Sequence, residues 1–377
     1  MYIQQKQIEN LTNLLEPQKV IVIYGPRRCG KTTLIKKFLE TRINESYLFA
    51  TAEDLTTQEF LASQRIEKLK QFAGNNKIIA IDEAQRIPNI GLNLKLMVDH
   101  IPGIKIIASG SSAFDLANQI GEPLTGRKYT LMQLPIAQLE LAQIETPMQT
   151  IDNLDDRLIF GSYPEIITTE NREKKIRYLN EIVSSYLYKD ILELDNIRNS
   201  DKILKLLQLL AYQIGKEVSL SELGTNLGMS KNTVERYLDL LEKTFVVFKL
   251  RGLSRNPRKE ISKSNRYYFY DIGIRNAVIN SYNSLTLRND IGMLWENYLI
   301  AERCKKQEYD NIYANNYFWR TYTQKEIDFV EERDGTFFGY EIKWKPEKIR
   351  IPKLWQEFYP NAKYQIISKE NYLDFIA

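Results

Sequence analysis

The 377-residue chain holds one histidine, His100, and two cysteines, Cys29 and Cys304. A single imidazole and two widely separated thiols leave no zinc-type ligand spacing and no histidine-based nucleophile, so any metal here would take oxygen ligands. The two thiols read as reduced cysteines rather than a disulfide framework. No apolar run approaches ~20 residues, which argues against a membrane-spanning helix. The opening MYIQQKQIENLTNLLE lacks the apolar stretch of a secretory leader. The expectation is a cytoplasmic protein with no membrane partner. Charge of one sign is also scarce: 52 Lys and Arg oppose 48 Asp and Glu, a net +4. That balance does not by itself mark a nucleic-acid binder. What is present, 43% hydrophobic and 27% charged residues, is ordinary for a globular chain, and the length suits two or three domains.

The stretch KVIVIYGPRRCGKTTLIKKFLE carries the strongest pattern. Val20 to Tyr24 is a short apolar run of the kind a buried parallel strand requires. Gly25, Pro26, Arg27, Arg28, Cys29, Gly30, Lys31, Thr32 and Thr33 follow, and Leu34, Ile35, Phe38 and Leu39 then recur at helical spacing. Strand, glycine-rich loop and helix together read as a P-loop. Backbone N–H groups of such a loop wrap phosphates, and the helix N-terminus favours their charge. Lys31 is placed to reach the β- and γ-phosphates of ATP and Thr32 to ligate Mg2+.

Further apolar runs at 46–50 and 78–81 read as strands. The second delivers Asp82 and Glu83 to the carboxyl end of a parallel sheet, where ligands bind. Asp82 is the expected magnesium partner and Glu83 the base that polarises water. Gln85 reads either as a γ-phosphate sensor or as an exposed glutamine at a helix start. GIKIIASGSS places Ser109, Ser111 and Ser112 at another strand end, as phosphate contacts or helix caps. Arg127, flanked by Gly126, reads as an arginine finger acting in cis or in trans, or as a surface arginine. The motifs GPRRCGKTT, IIAIDEAQ, IIASGSS and GR resemble those of AAA-like ATPases over about the first 140 residues. The long lid sequence and second arginine signature of hexameric motors are missing.

The middle of the chain, residues 151–199, has a helical pattern broken at GSYPEII. Tyr178, Ile182, Ser185 and Tyr186 share a helical stripe that suits a core, and Lys189 and Asp190 could face a nucleotide or a partner. Next come a helix ending at Gly215, a second near 219–227 ending at Gly228, and a third capped by Ser230. The third has Val234, Tyr237, Leu238 and Leu241 on its apolar face. With the strand FVVFKL this resembles a winged helix-turn-helix. Lys231, Asn232, Thr233 and Arg236 on its exposed front suit DNA, whereas Glu235 and Asp239 suit an interdomain connector. The following loop, 251–266, is rich in Lys and Arg, as a phosphate-contacting wing or a solvated one.

Near the end, EIDFVEERDGTFFGYEIKWK reads as a hairpin around Asp334-Gly335. Counting back from that turn sets Asp328 opposite Glu341 and Glu326 opposite Lys343, all on one face. Ile327, Phe329, Tyr340, Ile342 and Trp344 fall on the other. Two facing carboxylates need a cation between them, either Lys343 or a divalent metal. Glu296, Asp328 and Glu341 with Lys343 resemble the signature of the restriction-endonuclease-like superfamily. The resemblance implies a second Mg2+ or Mn2+ site on these carboxylates, with Lys343 assisting phosphodiester cleavage.

The whole chain resembles a bacterial and archaeal family of ATP-binding proteins whose C-terminal domain has no defined role. GSYPEII, YYFYDIGIRNAV, GMLWENYLIAE and the FWRT to GYEIKWK tract carry the likeness. The expected fold is α/β, with a P-loop ATPase domain over 1–145, a helical linker and winged helix over 146–265, and a nuclease-like domain over 266–377. The expected function is an ATPase or nucleotide switch controlling the C-terminal module. The alternatives are an ATP-regulated DNA nuclease and a DNA-binding regulator, either with a protein partner or self-association.

Overall fold

In the computed structural model the chain is described over residues 2–111, 123–187, 200–254, 265–321, 323–347 and 350–377. Ser112, Lys189, Asp190 and most of the basic 251–266 loop lie outside the described residues. The chain divides into two compact units, one built mainly from 1–135 and the other from 136–188, 197–242 and 246–377.

The first unit is a five-stranded parallel sheet in the order β2-β3-β4-β1-β5. Its strands are β1 (Lys19–Tyr24), β2 (Tyr47–Thr51), β3 (Ile78–Asp82), β4 (Lys105–Gly110) and β5 (Lys128–Met132). Three of the runs read from the sequence are the central strands β1, β3 and β4, covered on both faces, which is why they lack polar alternation, and the run at 46–50 is the edge strand β2. Val20, Val22, Ile79, Ile81, Ile106 and Ala108 face one core, closed by Leu69 of α4 (Ile66–Ala73) and Leu94 and Met97 of α5 (Ile90–His100). Ile21, Ile23, Ile78, Ala80 and Ile107 face the other. There Leu11 of α1 (Gln7–Leu14) packs with Leu34, Ile35, Phe38 and Leu39 of α2 (Lys31–Glu40). A short helix, α3 (Leu55–Leu61), follows β2. Because all strands run one way, every strand-to-helix turn lies at the same edge.

The second unit holds a mixed seven-stranded sheet in the order β12-β11-β10-β9-β7-β8-β6. The strands are β6 (Glu217–Val218), β7 (Val247–Gly252), β8 (Asn265–Phe269), β9 (Asn315–Arg320), β10 (Glu326–Arg333), β11 (Thr336–Ile342) and β12 (Lys363–Ile367). The first helical stretch includes α6 (Leu154–Phe160) and α7 (Arg172–Glu181). Then come α8 (Ser200–Tyr212), α9 (Leu220–Leu227) and α10 (Lys231–Lys243). Ser219 Oγ accepts from Glu222 N at 3.3 Å, Gly228 closes α9 at φ +58°, and Ser230 Oγ accepts from Thr233 N at 3.2 Å. Val234, Tyr237, Leu238 and Leu241 are buried, while Lys231, Asn232 and Arg236 are exposed. These turns and caps fall where the sequence placed them. The later helices are α11 (Ile272–Val278), α12 (Ile291–Tyr309) and α13 (Tyr372–Ile376).

The expected boundaries at 145 and 265 differ from this division. The first falls near 135. The second cuts through a sheet: β7 pairs antiparallel with β8 and parallel with β9, setting Arg251 beside Tyr317 and Gly252 beside Phe318. Leu253 N adds a bond to Phe318 O at 2.7 Å. Backbone pairing across the expected border makes the two parts one unit.

The β10–β11 hairpin has the register counted from its turn, with Arg333 opposite Thr336 and Phe329 opposite Tyr340. Past Phe329 the regular ladder ends, and Asp328 Oδ2 accepts from Ile342 N at 2.8 Å instead. The expected apolar face is also broken. Phe329 packs with Tyr340 and Phe375, whereas Ile327 packs with Val330, Trp319 and Trp355. A β-bulge between Ile327 and Val330 inserts the extra residue that reverses the alternation.

Candidate functional site

At the carboxyl edge of the first sheet, β1 ends at Tyr24 and the loop 25–30 turns into α2. Gly25 adopts φ +153°, and a Cβ there would stand 1.8 Å from the carbonyl oxygen of Gln133. Gln133 N donates to Tyr24 O at 2.7 Å, and the Cys29 thiol donates to Gln133 O at 3.1 Å. Gln5 Nε2 donates to Cys29 O at 3.3 Å. The loop is therefore braced from outside by two buried glutamines that sequence reasoning missed. Both are distant in sequence and belong to no motif; only the adjacency of β5 to β1 brings Gln133 there.

Lys31 is buried, and its Nζ donates to Gly25 O and Pro26 O, each at 2.8 Å. The loop thus folds its own carbonyls around the ammonium. Thr32 Oγ1 donates to Asp82 Oδ2 at 2.7 Å, joining α2 to the end of β3. Ser109 Oγ, at the end of β4, donates to the other carboxylate oxygen of Asp82 and accepts from Glu83 N at 3.3 Å. A hydroxyl and a carboxylate side by side are a donor set suited to Mg2+, which binds one or two protein oxygens together with phosphate and water.

Glu83 follows β3 with a left-handed φ of +55°. Gln85, in the single 3-10 turn Ala84–Arg86, donates from Nε2 to Glu83 Oε2 at 2.6 Å and to Ser111 Oγ at 3.3 Å. It is half-buried, not the exposed glutamine of one sequence reading. Lys31, Thr32, Asp82, Glu83, Gln85, Ser109 and Ser111 thus meet on one edge.

Arg127 does not join them. It precedes β5, and Val20 N donates to Arg127 O at 2.9 Å, so it lies at the amino edge of the sheet. At ~3.3 Å per residue the length of β1 separates it from the loop. Its Nε donates to Asp99 at 2.7 Å. A finger acting in cis is excluded by strand direction: β5 runs parallel to β1, so a residue before it faces away from the loop.

The carboxylates of the second unit form a separate cluster. Lys343 Nζ lies 2.8 Å from Glu341 Oε1 and 3.9 Å from Asp328 Oδ2. Trp295 Nε1 donates to Lys343 O at 3.0 Å. Glu296 on α12 is bonded by Tyr268 OH at 2.7 Å, with Arg266 4.0 Å away. Arg266 also pairs with Glu326 at 2.7 Å. Burial and then the Asp328 charge push Glu296 up to about 8 and Glu341 up to about 7. Burial also raises Asp328. Lys343 is held above its usual range: burial pulls it down, but Asp328 and Glu341 outweigh that. Among the described residues no three His, Cys, Asp or Glu side chains gather as a metal-holding set. The structure does not show the expected Mg2+ or Mn2+ site on Glu296, Asp328 and Glu341: Lys343 stands beside two of these carboxylates, and Glu296 accepts from Tyr268. Arg266 and Tyr268 are the members of this cluster that the motif did not include.

Parallel sheet, glycine-rich loop and the Thr32–Asp82 pair define the first unit as a P-loop nucleotide-binding domain of the ATPase type. Comparison with known families narrows this: residues 17–142 match the model described as "AAA domain". Residues 151–285 match "Domain of unknown function (DUF8612)" and 291–373 match "Domain of unknown function (DUF4143)". The chain is 26% identical over 339 residues to an uncharacterized protein of Mycobacterium tuberculosis, covering 88% of this chain and 72% of that one. It is 25% identical over 335 residues to one of Methanocaldococcus jannaschii, covering 84% and 73%. Among solved structures, AMPPCP-bound DnaA from Aquifex aeolicus aligns at a TM-score of 0.31 with 15% identity, covering 63% of this chain and 86% of that chain. No described helix is long and apolar enough to cross a membrane.

Proposed function

We propose that the chain binds MgATP at Gly25–Thr33 and hydrolyses it, and that nucleotide state governs the carboxylate–lysine module of the second unit. The observation that carries the first part is the chain of contacts from Thr32 through Asp82 to Ser109, beside a loop already closed on Lys31. In this reading the loop N–H groups and Lys31 hold the phosphates, releasing the ammonium from Gly25 O and Pro26 O as they bind. Thr32 and Asp82 would hold a magnesium ion, whose charge would offset that of the phosphates. Glu83 takes the proton from the attacking water. Arg127 either acts towards a neighbouring copy or is a surface arginine paired with Asp99; an ATPase rate per chain that rises with protein concentration and loses that rise in Arg127→Ala would report the first.

The test is nucleotide binding and phosphate release. Lys31→Ala is expected to lose ATP binding, and Glu83→Gln to retain binding while turnover falls by about 10²-fold or more. Wild-type turnover in both variants would sink the assignment.

A second reading is supported by the exposed Lys231, Asn232 and Arg236 on α10 beside the β7–β8 hairpin, an arrangement like that of a winged helix. It makes the second unit a DNA contact. Salt-dependent binding to duplex DNA that weakens several-fold in Lys231→Ala/Arg236→Ala is its expected outcome. The same assay with magnesium or manganese tests the third reading, cleavage that depends on Lys343.

A further inference from the structure

The orientation of the Gln85 amide is fixed by its neighbours. Its amino group faces Glu83 Oε2 at 2.6 Å and Ser111 Oγ at 3.3 Å. Turning the amide over would set two acceptor oxygens against each other, so the carbonyl oxygen Oε1 is the amide atom that does not bond the carboxylate. That Oε1 is buried and has no hydrogen-bond partner among the described residues. A buried acceptor left empty has lost its hydration with nothing to offset it. It lies in a side chain tied to the general-base candidate, at the strand edge that carries Thr32, Asp82 and Ser109. An acceptor there calls for a donor that arrives with the substrate.

We propose that Gln85 holds the attacking water of ATP hydrolysis: Glu83 accepts one of its O–H bonds and Gln85 Oε1 the other, leaving a lone pair aimed at the γ-phosphorus. This rests on the ATPase reading and names the group that orients its nucleophile. Water has two donors and needs both restrained if its oxygen is to face one direction. In the step itself, the water oxygen forms a bond to γ-phosphorus as the bond from that phosphorus to the β,γ-bridging oxygen breaks. The electron pair leaves on ADP, one water proton passes to Glu83, and the other stays on the released phosphate. The Gln85 amino group remains on Glu83 throughout, so the same side chain fixes the base and the water.

The experiment uses the full chain with Gln85→Met, which keeps the volume and removes the amide, and Gln85→Asn, which keeps the amide one methylene short. Three quantities are measured: kcat, the Kd for ATP, and the Kd for ADP with aluminium fluoride, a mimic of the transition state that includes the water. The expected result for Gln85→Met is a fall in kcat of about 10- to 100-fold. Its Kd for ATP stays within about threefold, and binding of the fluoride complex weakens in step with kcat. Gln85→Asn is expected to fall between Gln85→Met and wild type. The inference is overturned if Gln85→Met turns over like wild type or faster, or if ATP affinity falls in step with kcat, which marks a merely structural residue. An inactive wild type, or a Lys31→Ala variant that still hydrolyses ATP, overturns the parent reading and this one together. Wild-type turnover in Gln85→Met on an active, Lys31-dependent enzyme overturns this one alone.

Discussion

At Gly25 a methyl group would stand 1.8 Å from the Gln133 carbonyl oxygen, in a backbone conformation that side chains rarely adopt. Gly25→Ala is therefore expected to cost the first unit about 2 kcal/mol or more, read as a lower denaturant midpoint, and to weaken ATP binding with it. Glu296 is governed by solvation rather than shape. Below its ordinary pKa of 4.5 it is protonated folded or unfolded; from there to about 8 the folded form keeps a proton the unfolded chain has lost. Stability then falls as pH rises through that window, because the native state binds more protons. Glu296→Gln keeps an acceptor for Tyr268 and removes the titration, so its denaturation midpoint should fall less between pH 5 and 9 than the wild type's. Equal slopes would show that Glu296 is not the group titrating. Of the residues these clusters bring together, Lys31 and Thr32 were legible from the spacing of one strand, loop and helix, and Asp82 and Glu83 from the end of a second apolar run, β3. Gln5, Gln133, Tyr268 and Arg266 were not, since they arrive from other elements and no local pattern announces them.

Element by element, the hairpin shows where counting works and where it stops. Asp334 and Gly335 both take left-handed backbone, at φ +48° and +74°, so the two-residue turn alone sets the register. The bulge between Ile327 and Val330 depends on the fit to β9, and the adjacent apolar pair Phe329-Val330 is too slight a break in the alternation of β10 to announce it. Arg127 shows the converse. Its edge of the sheet follows from strand direction, which the sequence pattern implied but which the finger reading did not use. The same hairpin carries Glu331, fully buried, whose Oε2 accepts from Arg303 of α12 at 3.0 Å and whose Oε1 accepts from Gln307 at 2.8 Å. Removing the carboxylate strands a guanidinium in the core. Glu331→Ala is expected to destabilise the second unit by about 3–5 kcal/mol, against about 0.5 kcal/mol or less for the neighbouring Glu332→Ala, both by denaturant unfolding. Equal effects would mean that the buried pair is not what ties α12 to β10.

For the molecule as a whole, two matched domain models, over 151–285 and 291–373, fall within one folded unit because β7 lies between β8 and β9. That continuity was not legible: β7 and β9 stand more than 60 residues apart, and each reads locally as an ordinary strand. A fragment of residues 266–377 would lose β7 and expose the edges of both β8 and β9, so it is expected to lack a cooperative unfolding transition. Residues 136–377 are expected to show one. A sharp melt of the shorter fragment would restore the border at 265. The pairing also has a mechanical side. Arg266 stands on β8, one strand from the β7–β9 seam, and its guanidinium reaches Glu326 and Glu296. The counter-ion of Glu296 and Glu326 is thus clamped in a strand paired on both sides, so the acidic cluster keeps its balance of charge for as long as the sheet holds together.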